Sequence, residues 1–127
     1  MPEPEYQYLN TRVDEGILVL TLTLTHLEGD RVVSDLRKDM LAAANFHKAS
    51  KVVIDFQRTK FISSAAFWPL LSLHKHLKEA GGRLVLCGLS PLVGDVFYTT
   101  KLVCADGSFA APFGLESDVA AAVAHLK

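Results

Sequence analysis

The chain reads as an α/β protein: one domain built on a mixed, mostly parallel β-sheet, with an N-terminal hairpin and about four helices. Three observations predict this. Two short apolar runs, KVVIDF at 51–56 and RLVLC at Arg83–Cys87, are bounded by polar residues, as strands covered on both faces are. Around them stand segments whose apolar residues recur at helical spacing. Strands alternating with helices favour parallel pairing through right-handed crossovers, with the helices packed on the sheet.

The elements follow in order. Residues 6–13 form a first strand, Asp14-Glu15-Gly16 a tight turn, and residues 17–25 a second strand antiparallel to the first. The second run, ILVLTLTLT, alternates Leu with Thr at period two, so one face is apolar and the other carries β-branched hydroxyls. Leu27-Glu28-Gly29-Asp30 makes a loop. From 31 to 48, Val33, Leu36, Met40 and Ala43 or Ala44 recur at helical spacing, with Arg37, Lys38 and Asp39 between them. After the strand at 51–56, a helix spans 64–80 with Phe67, Leu70, Leu73 or His74, and Leu77 towards the core. Gly81-Gly82 ends it, because glycine takes the left-handed cap at little cost.

Beyond the strand Arg83–Cys87, Ser90 followed by Pro91 signals a helix start, a hydroxyl cap with proline at the first helical position. That helix runs to about Lys101. Residues 102–113 hold a short edge strand and turns. Leu115, Val119, Val123 and Leu126 mark one face of a closing helix. No repeat or linker divides the chain, so residues 1–127 are one domain, with 1–5 read as a flexible tail.

Half of the 127 residues are hydrophobic, enough for a core without metal or disulfide support. Thirteen Lys and Arg against fourteen Asp and Glu leave a net charge of −1, so neither a nucleic-acid partner nor a cationic one is signalled. The same near-neutrality gives little repulsion between copies and leaves a homo-oligomer open. The start, MPEPEYQYLN, has neither the basic nor the apolar region of an export signal, and no apolar run approaches the roughly 20 residues of a membrane span. Cys87 and Cys104 then read as reduced, buried thiols, and a cytoplasmic location is expected.

No catalytic set can be assembled. His74 and His76 stand two apart on a helix and point to different faces, and His26, His47 and His125 are isolated, so no metal is expected. Cys87 lacks a base that the sequence can place beside it. No glycine pattern of the phosphate-cradling type appears, and no cofactor is expected. Asp55, a charge inside an apolar strand, reads two ways: a carboxylate beside a functional loop, or an acceptor for loop N–H groups that holds 57–63 in shape.

The residues from Val52 to Leu102 carry a resemblance. The strand VVIDF, Phe61-Ile62 with a serine pair, the run LLSLHKHLKEAGGRLVLCGLSP and the short helix ending at Lys101-Leu102 together resemble the STAS domain, the fold of bacterial anti-sigma factor antagonists. The resemblance implies a regulatory protein–protein interaction domain and not an enzyme. Its partner would be an anti-sigma factor that is also a serine kinase. The antagonists' pattern, Asp-Ser-Ser-Gly at a loop-to-helix junction, falls on Ser63, Ser64, Ala65 and Ala66, so only the acceptor, Ser64, is kept. Ser63 is the lesser candidate acceptor.

A helix N-terminus offers free N–H groups and a positive dipole end to an added phosphate. Serine at 63 keeps a good helix cap but removes a charge beside the acceptor. Pro69 is too deep for a helix capped by Ser64, so that helix is kinked or starts later, with Trp68 as a possible cap. The implied partner surface comprises Thr59, Lys60, Ser63, Ser64, Ala65, Ala66, Phe67 and Trp68, with Asp55 in support. An exposed aromatic at 67 or 68 would suit an interface hot spot. Two alternatives stand beside the switch: a STAS scaffold or constitutive antagonist that is not phosphorylated, and a domain that binds a nucleotide or small ligand.

Overall fold

The computed structural model describes residues 2–100 and 113–127. Strands β1 (Leu9–Asp14) and β2 (Ile17–Leu22) form the expected antiparallel hairpin. Its turn is Glu15-Gly16, both at positive φ (53° and 81°), the two-residue geometry that matches strand twist. Strand β4 (Lys51–Asp55) pairs parallel with β2, β6 (Arg83–Cys87) with β4, and β7 (Gly114–Glu116) with β6. The sheet order is therefore β1-β2-β4-β6-β7. A separate two-stranded piece joins β3 (His26–Leu27) to β5 (Phe61–Ile62) in parallel.

Four helices complete the described fold: α1 (Asp30–His47), α2 (Phe67–Glu79), α3 (Pro91–Thr99) and α4 (Val119–Leu126). Leu36 and Met40 of α1, with Leu70, Leu73 and Leu77 of α2, pack on Leu18, Leu20, Val52, Ile54, Leu84 and Leu86 of the sheet. The opposite face carries Ile17, Val19, Val53, Val85 and Cys87, covered by Ala122, Val123 and Leu126 of α4. Both faces of β4 and β6 are thus buried, which is why their sequences are apolar without alternation.

Several boundaries differ from those the sequence predicts. The second strand ends at Leu22, opposite Leu9; one further bond, Thr23 N–H to Tyr8 O, follows, and beyond it Thr25 O accepts from Lys60 N–H and Phe61 N–H instead. Leu27, expected in a loop, lies in β3. Leu115, expected on the closing helix, pairs with Leu86 in β7, and α4 starts only after Asp118, whose carboxylate accepts the Ala121 N–H at 2.8 Å. Helix α3 is described to Thr99, and Lys101, near which the sequence places its end, lies outside the described residues; Ser90 caps the helix by accepting from Val93 N–H. The edge strand and turns expected over 102–113, and Cys104, lie outside the described residues except for Phe113, which is buried.

The first strand begins at Leu9 rather than Tyr6. Tyr6 and Tyr8 pack against the core, and Asp39 of α1 accepts the N–H groups of Gln7 and Tyr8. One oxygen of Glu3, in the segment read as a tail, accepts from Tyr6 Oη, Thr11 Oγ1 and His47 Nε2. These bonds outweigh burial and hold the Glu3 carboxyl below its ordinary range.

Candidate functional site

The serine loop is fixed from beneath before it presents anything outward. At the end of β4, Asp55 is 7% exposed and its Oδ1 accepts the Gln57 N–H at 2.9 Å. The carboxylate packs so closely over Gly88 (φ +70°) that a Cβ there would stand 2.6 Å from Oδ1. The acceptor role expected of Asp55 is thus seen at the Gln57 N–H, and it is compatible with a role for the carboxylate beside the serine loop. Thr59 is fully buried; its hydroxyl donates to Leu24 O at 2.8 Å, and its N–H donates to Phe56 O. Phe61-Ile62 then joins β3, and Ser63 N–H donates to Leu27 O.

The expected helix from Ser64 is corrected. Residues Ser64–Ala66 form one 3₁₀ turn, and α2 starts at Phe67. This resolves the proline: Pro69 is the third helical residue, within the first turn, where a missing N–H costs no intrahelical bond. Neither Ser64 nor Trp68 is the cap of α2; that position belongs to Ala66. Ser63 has the extended backbone of a cap to the 3₁₀ turn (φ −91°, ψ 164°), but its hydroxyl makes no capping bond. Its Oγ is buried and has no hydrogen-bond partner among the described residues.

The side chains therefore divide into two groups. Lys60, Ser64, Ala65 and Trp68 face outward, and Trp68 is 52% exposed. Thr59 and Ala66, expected on the contact surface, are fully buried and support the loop from below. Phe67 is partly buried, its ring 5.3 Å from that of Phe97. The sequence reading missed three members of the outer group. Leu71, three residues after Trp68 on α2, and Phe61, on β5 next to the His26 ring, are exposed apolar residues, and the Arg37 guanidinium lies 5.0 Å from the Trp68 ring centroid while donating through Nε to Ser72 Oγ. Leu71 was findable: with Leu70, Leu73 and Leu77 marking the buried stripe, a residue three after Trp68 must share its outer face. Arg37 was not, since its contact joins two helices.

An open cleft of about 450 Å³ lies at the ends of β4, β6 and β7 and is lined by Asp55, Gln57, Gly88, Ser117, Asp118, Val119 and Ala120. Each of its two carboxylates accepts one backbone N–H at Oδ1, Asp55 from Gln57 and Asp118 from Ala121. Nearby Cys87 is fully buried, and burial, followed by the fields of Asp55 and Asp118, pushes its thiol up to about 12. A neutral thiol is a poor nucleophile, so Cys87 is a core residue.

The sign of the pH effect follows. The folded pKa lies above the reference value of 9.0, so the stability linked to Cys87 is full below pH 9 and is lost as pH rises through 12. Tyr6, raised to about 12 by burial and the Glu3 carboxylate, acts in the same direction above pH 10. Urea unfolding at about pH 10.5 is expected to show roughly 2 kcal/mol less stability from Cys87 than at neutral pH. Cys87→Val should flatten that part of the profile.

Among the described residues, no helix is long and apolar enough to cross a membrane. Comparison with known proteins fits the geometry. The family model of the STAS domain matches residues 8–110. Over 47 residues the chain is 45% identical to BtrV of Bordetella bronchiseptica, assigned as an anti-sigma factor antagonist; the match spans 37% of this chain and 40% of BtrV. Among solved structures, one assigned as an anti-sigma factor antagonist of Thermotoga maritima superposes with a TM-score of 0.77 at 13% identity, covering 93% of each chain. The phosphorylated form of SpoIIAA, a Bacillus cell fate determinant, superposes with a TM-score of 0.64 at 18% identity, covering 94% of this chain and 99% of the other. At such identities the superpositions speak for the fold, and the family match extends over most of the sequence: the chain belongs to the STAS domain family.

Proposed function

We propose that the protein is an anti-sigma factor antagonist that binds a protein partner through the surface around Ser64, and that phosphorylation of Ser64 releases that partner. The observation that carries the reading is the contrast between the two serines. Ser64 is exposed on the 3₁₀ turn beside the exposed ring of Trp68, whereas the hydroxyl of Ser63 is buried. Only one of the two is open to a kinase. SpoIIAA, which shares the fold, exists in a phosphorylated form.

The partner would be an anti-sigma factor with serine kinase activity. It transfers the γ-phosphoryl group of ATP to Ser64 Oγ, with ADP and the hydroxyl proton leaving. The product carries about −1.5 to −2 charges at neutral pH, in the middle of a surface whose apolar members are Phe61, Trp68 and Leu71. Ser64 protrudes from a turn that is already hydrogen-bonded, through Ala66 N–H to Ser63 O. The phosphate therefore acts by repulsion and by the cost of desolvating it at the interface, with the loop left in place.

Within the surface, Trp68 is the anchor: a large, half-exposed ring held on one side by Arg37. Tagged protein should capture its partner from its own cells, and Trp68→Ala should weaken the purified complex by about 2 kcal/mol, roughly 30-fold. Because Trp68 contributes little to the core, its unfolding midpoint should stay near that of the parent. An unchanged affinity would place the interface elsewhere. The cleft lined by Gly88 also carries the carboxylates of Asp55 and Asp118, a charge that repels a phosphate-bearing ligand such as a nucleotide.

A further inference from the structure

We propose that the free edge of β1 is an interface for a second copy of this chain, pairing antiparallel about a two-fold axis at Val13. The edge lies at the end of the sheet order, next to β2 alone. Its outward groups can be assigned from the hairpin register. Thr23 N–H donates to Tyr8 O at 2.9 Å, so the pair Tyr8 and Thr23 is of the hydrogen-bonded kind. Alternation then turns the backbone groups of Asn10, Arg12 and Asp14 towards β2, and those of Leu9, Thr11 and Val13 away from it. Among the described residues, no backbone bond reaches the N–H or C=O of Thr11 or Val13 from the open side.

The side chains select one register. Val13 is 55% exposed, second only to Leu92 (59%) among the large hydrophobic residues of the described structure. Pairing centred on Val13 lets the two valines exchange both backbone bonds and sets their side chains together. It also places Arg12 opposite Asp14 of the second copy, twice by symmetry. Centring on Arg12 or on Asp14 would oppose like charges, and centring on Thr11 would set Arg12 against Asn10 and leave Asp14 without a cation. Only the Val13 register pairs opposite charges. The net charge of −1 adds little repulsion between copies.

Two variants test this with the whole chain. Directly opposed residues of the hydrogen-bonded kind have Cα atoms about 5.5 Å apart, within the range a disulfide spans. Val13→Cys should therefore form a covalent dimer under mild oxidation at least about tenfold faster than Arg12→Cys. The parent chain, which carries Cys87 and Cys104, is the background. Val13→Pro removes an N–H that makes no bond within the monomer, a change an edge strand tolerates. Sedimentation equilibrium should show the parent passing from monomer to dimer as concentration rises, and Val13→Pro weakening that association by about tenfold or more. A parent that stays monomeric at millimolar concentration, or Arg12→Cys cross-linking as fast as Val13→Cys, would overturn the proposal.

Discussion

Ser64→Glu is expected to weaken partner binding by at least about a hundredfold, while Ser64→Ala binds as the parent does. The two substitutions differ in charge, not in what they do to the fold. Ser64 is exposed and its hydroxyl makes no hydrogen bond among the described residues, so neither variant gives up a native hydrogen bond. Glutamate brings a carboxylate to the turn that leads into Trp68, where a docked partner would have to strip its water. Removing one charge from water at an interface costs several kcal/mol unless a cation meets it. Titration calorimetry with the captured partner reads both affinities. Equal binding by the two variants would leave a partner surface without a phosphate switch, the constitutive reading that the motif Ser63-Ser64-Ala65-Ala66 also permits.

Gly82→Ala is expected to give the largest loss of stability of any single methyl addition at the described glycines. A Cβ at Gly82 would lie on the carbonyl oxygen of Ser50 and within 2.9 Å of its Cα, all rigid backbone. That same carbonyl accepts from Arg83 N–H at 2.9 Å, which fixes the start of β6 beside β4. Gly82 N–H also closes the end of α2 on Leu77 O at 2.7 Å, and Gly81 N–H donates to Lys78 O. The chain cannot move away without giving up the helix cap or the strand pairing. The cost should be about 3 kcal/mol or more, a fall in Tm of roughly 10 °C. Gly81→Ala makes the control: its φ of +75° is unfavourable for alanine, but nothing lies within 4 Å, so about 1 kcal/mol is expected. Chemical denaturation of the two variants side by side should separate steric overlap from backbone strain.

Much of the architecture was legible because local and tertiary demands coincide. KVVID and RLVLC have no polar face to mislead, and both are central strands. Ser90-Pro91 and Gly81-Gly82 are punctuation whose chemistry works within a few residues, and the structure keeps both. Errors arose where periodicity outran pairing. The alternation of β2 continues to Thr25, but a strand lasts only while a neighbour runs beside it, and the last bond to the β1 side is Thr23 N–H to Tyr8 O. Leu115 falls at helical spacing from Val119, yet the open edge of β6 takes it as a strand.

The site was legible in part for a related reason. Ser64 and Trp68 could be placed near the junction from sequence order alone, while the fate of each hydroxyl depended on the short β3–β5 pairing that turns Ser63 inward. Pro69 was the one residue that signalled a late helix start. The 3₁₀ turn that accommodates it has no sequence signature strong enough to read.

The central claim is that Ser64, and not Ser63, is the residue a kinase modifies. The measurement that tests it most directly is the intact mass of the protein isolated from its own cells, followed by peptide mapping of residues 61–75. The account predicts a population heavier by one phosphate, with the modification on Ser64. Protein that is unmodified both in growth and under stress, or that carries its phosphate on Ser63, would contradict it.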